Sequence, residues 1–130
     1  MLSGFHSVDL AVADLDAALA FYRDVLGLEQ VTDARPSGRG HALRWVELGV
    51  GSQPCLSLLQ PTGDGPVRRF LDRRGPGVFQ VCFDTADVTG AAATLRERGI
   101  EPVGDGSRSV FVHPRDAHGA LIELMPGGQS

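Results

Sequence analysis

Two carboxylates stand on strand-like runs of otherwise small or apolar residues: Asp9 in FHSVDLAV and Glu123 in ALIELMP. Apolar walls raise the proton affinity of a carboxyl, and two such groups on one surface can divide general acid and base roles next to a carbonyl. Glu47, beside Trp45 on a third run, is a further candidate base. Ser7, Ser57 and Gln80 fall on the same strand parity as these carboxyls. They would donate hydrogen bonds to the oxygen that gains charge as the proton leaves. Buried polar groups are costly unless bonded, so the competing reading is a closed network that fixes packing. Trp45, Phe5 and Met125 are the expected apolar walls, and His41 is placed to reach the rim.

These residues need elements to hold them, and the chain contains one stretch twice. Val8 to Glu29 and Val81 to Glu101 coincide at Val8/Val81, Ala13/Ala86, Asp14/Asp87, Ala18/Ala91, Ala20/Ala93 and Arg23/Arg96. After one deletion Gly27/Gly99 and Glu29/Glu101 coincide too. Each copy reads as a strand, an Asp helix cap, an amphipathic helix, a Gly stop and the start of a new strand. In the first copy Leu15, Leu19, Tyr22 and Leu26 recur at helical spacing. The remaining segments read as strands 4–12, 28–33, 41–48 and 55–60, a helix 66–74, a Gly-Pro-Gly hinge, then strands 78–84, 100–103, 108–113 and 120–125, with a helix 87–98. The architecture expected is α+β: two tandem βαβββ modules forming a cupped mixed sheet. Residues 1–130 form one domain in this reading, with module one at 4–60, a connecting helix at 66–74 and module two at 77–126.

Strand alternation assigns the faces. Val8, Leu10 and Val12 should pack under the helices, with Phe5, Ser7, Asp9 and Ala11 on the concave side. Phe79, Val81 and Phe83 should likewise oppose Gln80, Cys82 and Asp84, while Ile122 and Leu124 oppose Leu121, Glu123 and Met125. The helix 66–74 carries Arg68, Arg69, Arg73 and Arg74, read as a solvated face in preference to an anion clamp.

With 42% hydrophobic and 22% charged residues the composition is that of an ordinary globule. A formal charge of −4 argues against a nucleic-acid or anionic-membrane footprint. No apolar run approaches the ~18 residues of a membrane span, and no N-terminal leader is read, so a cytoplasmic location is the expectation. Cys55 and Cys82 lack metal spacing and read as buried thiols in a reducing compartment.

The sequence resembles the vicinal oxygen chelate superfamily, which includes glyoxalases, bleomycin-resistance proteins and ring-cleaving dioxygenases. The blocks that carry the likeness are VADLDAALAFYRDVLGLE, GPVRRFLDRRGPGVFQVCFDTADV and FVHPRDAHGALIELMP. The middle block is most similar to the methylmalonyl-CoA epimerase branch. The resemblance implies a divalent metal held in the cup by four side chains, at positions that are here Ser7, Ser57, Gln80 and Glu123. Only Glu123 is a strong ligand, so no metal and no cofactor is expected. The alternative is one divalent metal ion, reached if the strand 4–12 slips by one residue and presents His6.

The function expected is therefore a small-molecule enzyme of isomerase or lyase type. It would perform metal-independent acid–base chemistry next to a carbonyl: epimerisation, isomerisation or cyclisation of an acyl or polyketide-like substrate. Glu123, Asp9 and Glu47 are the candidate catalytic groups, and Ser7, Ser57, Gln80, Trp45, Phe5, Met125 and His41 the binding groups. A small-molecule or antibiotic sequestration protein is the first alternative, and a metal-dependent methylmalonyl-CoA epimerase the second. A homodimer is expected of the fold; partners from nucleic acid or membrane are not.

Overall fold

The computed structural model describes residues 1–36, 42–104 and 108–127. Among them the chain is α+β, with strands β1 (Leu2–Ala11), β2 (Glu29–Gln30), β3 (Arg35–Pro36), β4 (Leu43–Val50), β5 (Gln53–Pro61), β6 (Gly77–Thr85), β7 (Val110–Val112) and β8 (Ile122–Pro126). The helices are α1 (Leu15–Leu19), α2 (Pro66–Arg74) and α3 (Val88–Glu97). The chain divides into two compact units, Ser7–Phe79 and Met1–His6 with Gln80–Ser130. Strand β1 supplies its end to the first unit and its beginning to the second.

In the unit Ser7–Phe79 the strands run in the order β2-β4-β5-β1, with β3 also on β4. β1 lies parallel to β5, pairing Asp9 with Ser57 and Leu10 with Leu58, and β5 lies antiparallel to β4, pairing Ser57 with Glu47 and Leu59 with Trp45. A bulge at Leu48/Gly49 shifts the β4–β5 register, and pairing continues to Val50 and Gln53. Gly49 is required there, because a Cβ would collide with the Gln53 carbonyl. One sheet face buries Val46, Leu48 and Leu58 against Val12, Leu15 and Leu19, with Leu10 and Leu56 packed alongside. The other face buries Ala11 and Leu59 against Val67 of α2, with Trp45, Phe70, Leu71 and Phe79 around them. Leu10 and Val12 therefore lie under α1 and Ala11 does not, so this part of β1 keeps the register without the one-residue slip.

Asp14 caps α1 by accepting from the Ala17 amide at 3.1 Å, and the Gln60 side chain accepts from the Leu15 amide at 2.8 Å. The expected single amphipathic helix then changes pitch: Ala20–Val25 is π-helical, and the Leu26 amide reaches back five residues to Phe21 at 3.0 Å. A wider turn rotates Leu26 off the Leu15–Leu19 stripe, which is why Val25 and Leu26 are exposed. The expected strand 28–33 is reduced to two residues, because the Val31 and Thr32 amides both turn to the Glu47 carbonyl.

In the unit formed by Met1–His6 and Gln80–Ser130, the order is β1-β6-β8-β7. β6 and β8 are parallel, pairing Cys82 with Glu123 and Asp84 with Met125, and β7 is antiparallel to β8, pairing Phe111 with Glu123. Val110, Val112 and Leu124 are buried against Ala91, Ala92 and Leu95 of α3, with Phe83 and Ile122 alongside. The opposite face carries Cys82, Glu123 and Phe111 by register. The Thr85 hydroxyl donates to the Met1 carbonyl at 2.7 Å and ties the start of β1 to the end of β6. The expected strand 100–103 contributes a single bridge, Val103 to Phe111.

Candidate functional site

The polar residues on the β6–β8–β7 sheet gather around Glu123. Its Oε1 accepts from Gln80 Nε2 at 3.0 Å and from the Cys82 thiol at 3.3 Å, and its Oε2 accepts from the Ser109 hydroxyl at 2.8 Å. A carboxylate offers about four lone-pair positions. Three are taken, which fixes the rotamer and, among the described residues, leaves one position on Oε2. Met125 stands two residues further along β8 on the same face, opposite Asp84.

At the start of β1 the pattern departs from simple alternation with the rest of the strand. His6 Nδ1 lies 3.2 Å from Asp84 Oδ1, so His6 is on the face of Asp84 and Cys82. Phe5, expected among the walls with Ser7 and Asp9, instead sets its ring edge-on to Phe83 at 6.2 Å. Phe83 packs on the α3 core. The beginning of β1 thus presents to β6 the parity opposite to the expected one.

In the other unit, the Ser7 hydroxyl donates to Asp9 Oδ1 at 2.7 Å, and both residues are buried. The registers put Asp9, Ser57 and Glu47 side by side on three adjacent strands. With strands about 4.8 Å apart, the two carboxylate-bearing Cα atoms stand roughly 10 Å apart with Ser57 between them. Asp9 and Ser57 are buried and Glu47 is half-buried. Trp45 lies two residues before Glu47 on β4, at the edge of the α2-covered cluster. His41 lies outside the described residues.

Reading the sequence for donors and bases passed over Ser109, Cys82 and Asp84 as members of these clusters. Cys82 and Asp84 had the right parity, but Cys82 was read only as a buried thiol. Ser109 precedes by two the residue opposite Glu123, a relation visible only once β7 is paired with β8.

Of the four positions that the resemblance gives to a divalent metal, only Glu123 offers a charged donor. Ser7 spends its hydroxyl proton on Asp9, Ser57 is a neutral hydroxyl, Gln80 turns its amide N–H to Glu123, and Glu123 is already held by three donors. One carboxylate with neutral hydroxyl and amide partners lacks the donor charge that divalent sites use.

Residues 6–117 match the family model described as the Glyoxalase/Bleomycin resistance protein/Dioxygenase superfamily, and the chain belongs to that superfamily. Its relatives include methylmalonyl-CoA epimerases. The ethylmalonyl-CoA/methylmalonyl-CoA epimerase of Cereibacter sphaeroides is 31% identical, over 95% of this chain and 98% of its own. The mitochondrial methylmalonyl-CoA epimerase of Mus musculus is 33% identical, over 95% of this chain and 72% of its own. Among solved structures, methylmalonyl-CoA epimerase from Mycobacterium tuberculosis matches with a TM-score of 0.84 at 32% identity, covering 95% of this chain and 87% of that one. A variant of the Streptomyces coelicolor epimerase in complex with 2-nitronate-propionyl-CoA matches at 0.81 and 34%, covering 95% and 96%. The α+β fold of paired modules expected from the duplication, and named vicinal oxygen chelate by the resemblance, is the fold of these proteins.

Proposed function

We propose that this chain catalyses proton transfer at the carbon next to the thioester carbonyl of a branched acyl-CoA, with Glu123 as the proton-carrying group and without a divalent metal. The observation that carries the reading is the three-donor cradle of Gln80, Cys82 and Ser109. It aims one remaining lone pair of a fixed carboxylate, on a sheet face not used by the α3 core. The substrate class is taken from the epimerase relatives, whose names specify methylmalonyl-CoA and ethylmalonyl-CoA. Removing the α-proton leaves an enolate, and returning a proton to the other face inverts the centre. Asp9 and Glu47, flanking Ser57, are the further acid–base candidates in the unit Ser7–Phe79.

A second reading, ligand retention without turnover, is favoured by one feature. Trp45, Phe70 and Phe79 gather partly buried beside Ala11 and Leu59, with the Phe70 and Phe79 rings in an edge-to-face pair at 5.5 Å. The deciding experiment incubates EDTA-treated protein with methylmalonyl-CoA in D2O and follows loss of the α-proton by NMR. Exchange that survives chelation and is lost for at least one epimer in Glu123→Gln is the expected result. Exchange restored only by added Co²⁺ or Mn²⁺ overturns the metal-free reading in favour of a metal-dependent epimerase. Bound but unexchanged ligand overturns catalysis in favour of sequestration.

A further inference from the structure

Inversion at a carbon needs a proton taken from one face and delivered to the other, and a single fixed carboxylate serves one face. We infer that His6, oriented by Asp84, is the second proton-transfer group, an inference that rests on the proton-transfer reading of Glu123. Both residues belong to the unit that contains Glu123. His6 Nδ1 is engaged by Asp84 Oδ1 at 3.2 Å, and no other hydrogen bond to the ring is present among the described residues. An imidazole held through one nitrogen by a carboxylate keeps its tautomer and presents the other nitrogen for proton exchange. The His6 side chain is 21% exposed, enough for protons to reach it from water and too little for it to turn freely.

The sheet supplies the spacing. Asp84 is two residues along β6 from Cys82, the partner of Glu123, and so shares its face. His6 stands on the other side of β6 from β8. Two strand spacings separate the His6 and Glu123 backbones, which therefore stand roughly 10 Å or more apart.

The orientation is built in. The Thr85 hydroxyl bonded to the Met1 carbonyl and the Gly127 amide bonded to the Thr85 carbonyl, each at 2.7 Å, fix the strand ends around Asp84. Gly4 sits over Asp84 Oδ2, where a Cβ would already be in van der Waals contact. Proton balance is simple. Glu123 takes the α-proton and becomes the acid, and the imidazolium of His6 gives a proton to the opposite face and becomes neutral. Both groups return to their starting forms by exchange with water, and the opposite epimer uses them in reverse.

The test follows each epimer of methylmalonyl-CoA separately in D2O with the full chain. Wild-type protein should exchange the α-proton of both and interconvert them. His6→Asn should interconvert them about 10²–10⁴-fold more slowly while still exchanging one epimer without inversion. Glu123→Gln should retain exchange in the other epimer only. Asp84→Asn, which removes only the positioning group, should weaken the His6 half of the pattern, and ¹⁵N spectra of wild-type protein should place the proton of neutral His6 on Nδ1. If His6→Asn interconverts the epimers within about twofold of wild type, or slows exchange equally in both, the second group is not His6 and the Glu123 reading stands. A neutral His6 protonated on Nε2 overturns the orientation even if His6→Asn does not fold. Absence of exchange in wild-type protein overturns both proposals.

Discussion

Replacing Glu123 separates a structural cradle from a reactive one. Three neutral donors converge on its carboxylate, from Gln80, Cys82 and Ser109, and Gln80 is buried. Glu123→Gln keeps the shape and one carbonyl oxygen. That oxygen can still accept from Gln80 and Cys82 if the new amide N–H₂ points at Ser109, whose hydroxyl can rotate to accept. What is lost is charge assistance, worth about 1 kcal/mol per bond, so a destabilisation of roughly 1–3 kcal/mol is expected. Glu123→Leu leaves all three donors facing a hydrocarbon. At about 1–3 kcal/mol for each donor left unsatisfied, and with Ser109 partly able to find water, roughly 3–6 kcal/mol is expected. Urea unfolding with a common m-value measures both, and the order Glu, Gln, Leu is the signature of the cradle. If Leu is as stable as Gln, the three donors do not depend on Glu123 and the network argument fails, whatever happens to activity.

The remaining predictions concern the supporting structure. Ser7→Ala removes the donor to buried Asp9 Oδ1 and should cost about 1–3 kcal/mol by denaturant titration; an unchanged midpoint would show that Asp9 is satisfied without Ser7. Gly49→Ala drives a Cβ into the Gln53 carbonyl at the β4–β5 bulge and should cost about 2 kcal/mol or more, with the loss read from the thermal midpoint. The Arg23 hydrogen bond holds the Asp24 carboxyl below its usual range. Its contribution is therefore present above the ordinary carboxylate range and fades as pH falls through the lowered value. Because both side chains are roughly half exposed, Asp24→Asn should be indistinguishable from wild type in 0.5 M salt, and a clear loss there would show a pair stronger than its exposure implies.

Much of this arrangement was legible in the residues because strands and helices sort side chains by period. The Val8–Glu29 and Val81–Glu101 repeat marked where each strand passes into its helix. Alternation separated Leu10 and Val12 from Asp9 and Ala11, and Ile122 and Leu124 from Glu123, as the packing of α1 and α3 confirms. Period alone failed where the backbone changes pitch or pairing. Nothing in AFYRDVL distinguishes a π-helical turn from a continued α-helix, so Leu26 was placed on a stripe it leaves. Phe5 was assigned by counting back from Asp9, whereas its side is set by the approach of β1 to β6, a contact nearly eighty residues away in the chain. Ser109 lay hidden for the same reason: a serine in a Gly/Ser-rich stretch gains its meaning only from the strand it ends up beside.

The division of β1 between two compact units has a consequence for the order in which the molecule can assemble. The β4–β5 hairpin of Ser7–Phe79 joins residues close in the chain, whereas Met1 and His6 meet partners 84 and 78 positions downstream. Loop-closure entropy makes such distant pairings slow to form. The first six residues must therefore wait, unpaired, until β6 exists, and the His6–Asp84 contact is among the last to be made. Refolding followed through Trp45 should run ahead of refolding followed through His6, and any nascent or truncated chain ending before β6 lacks the Asp84 partner of His6.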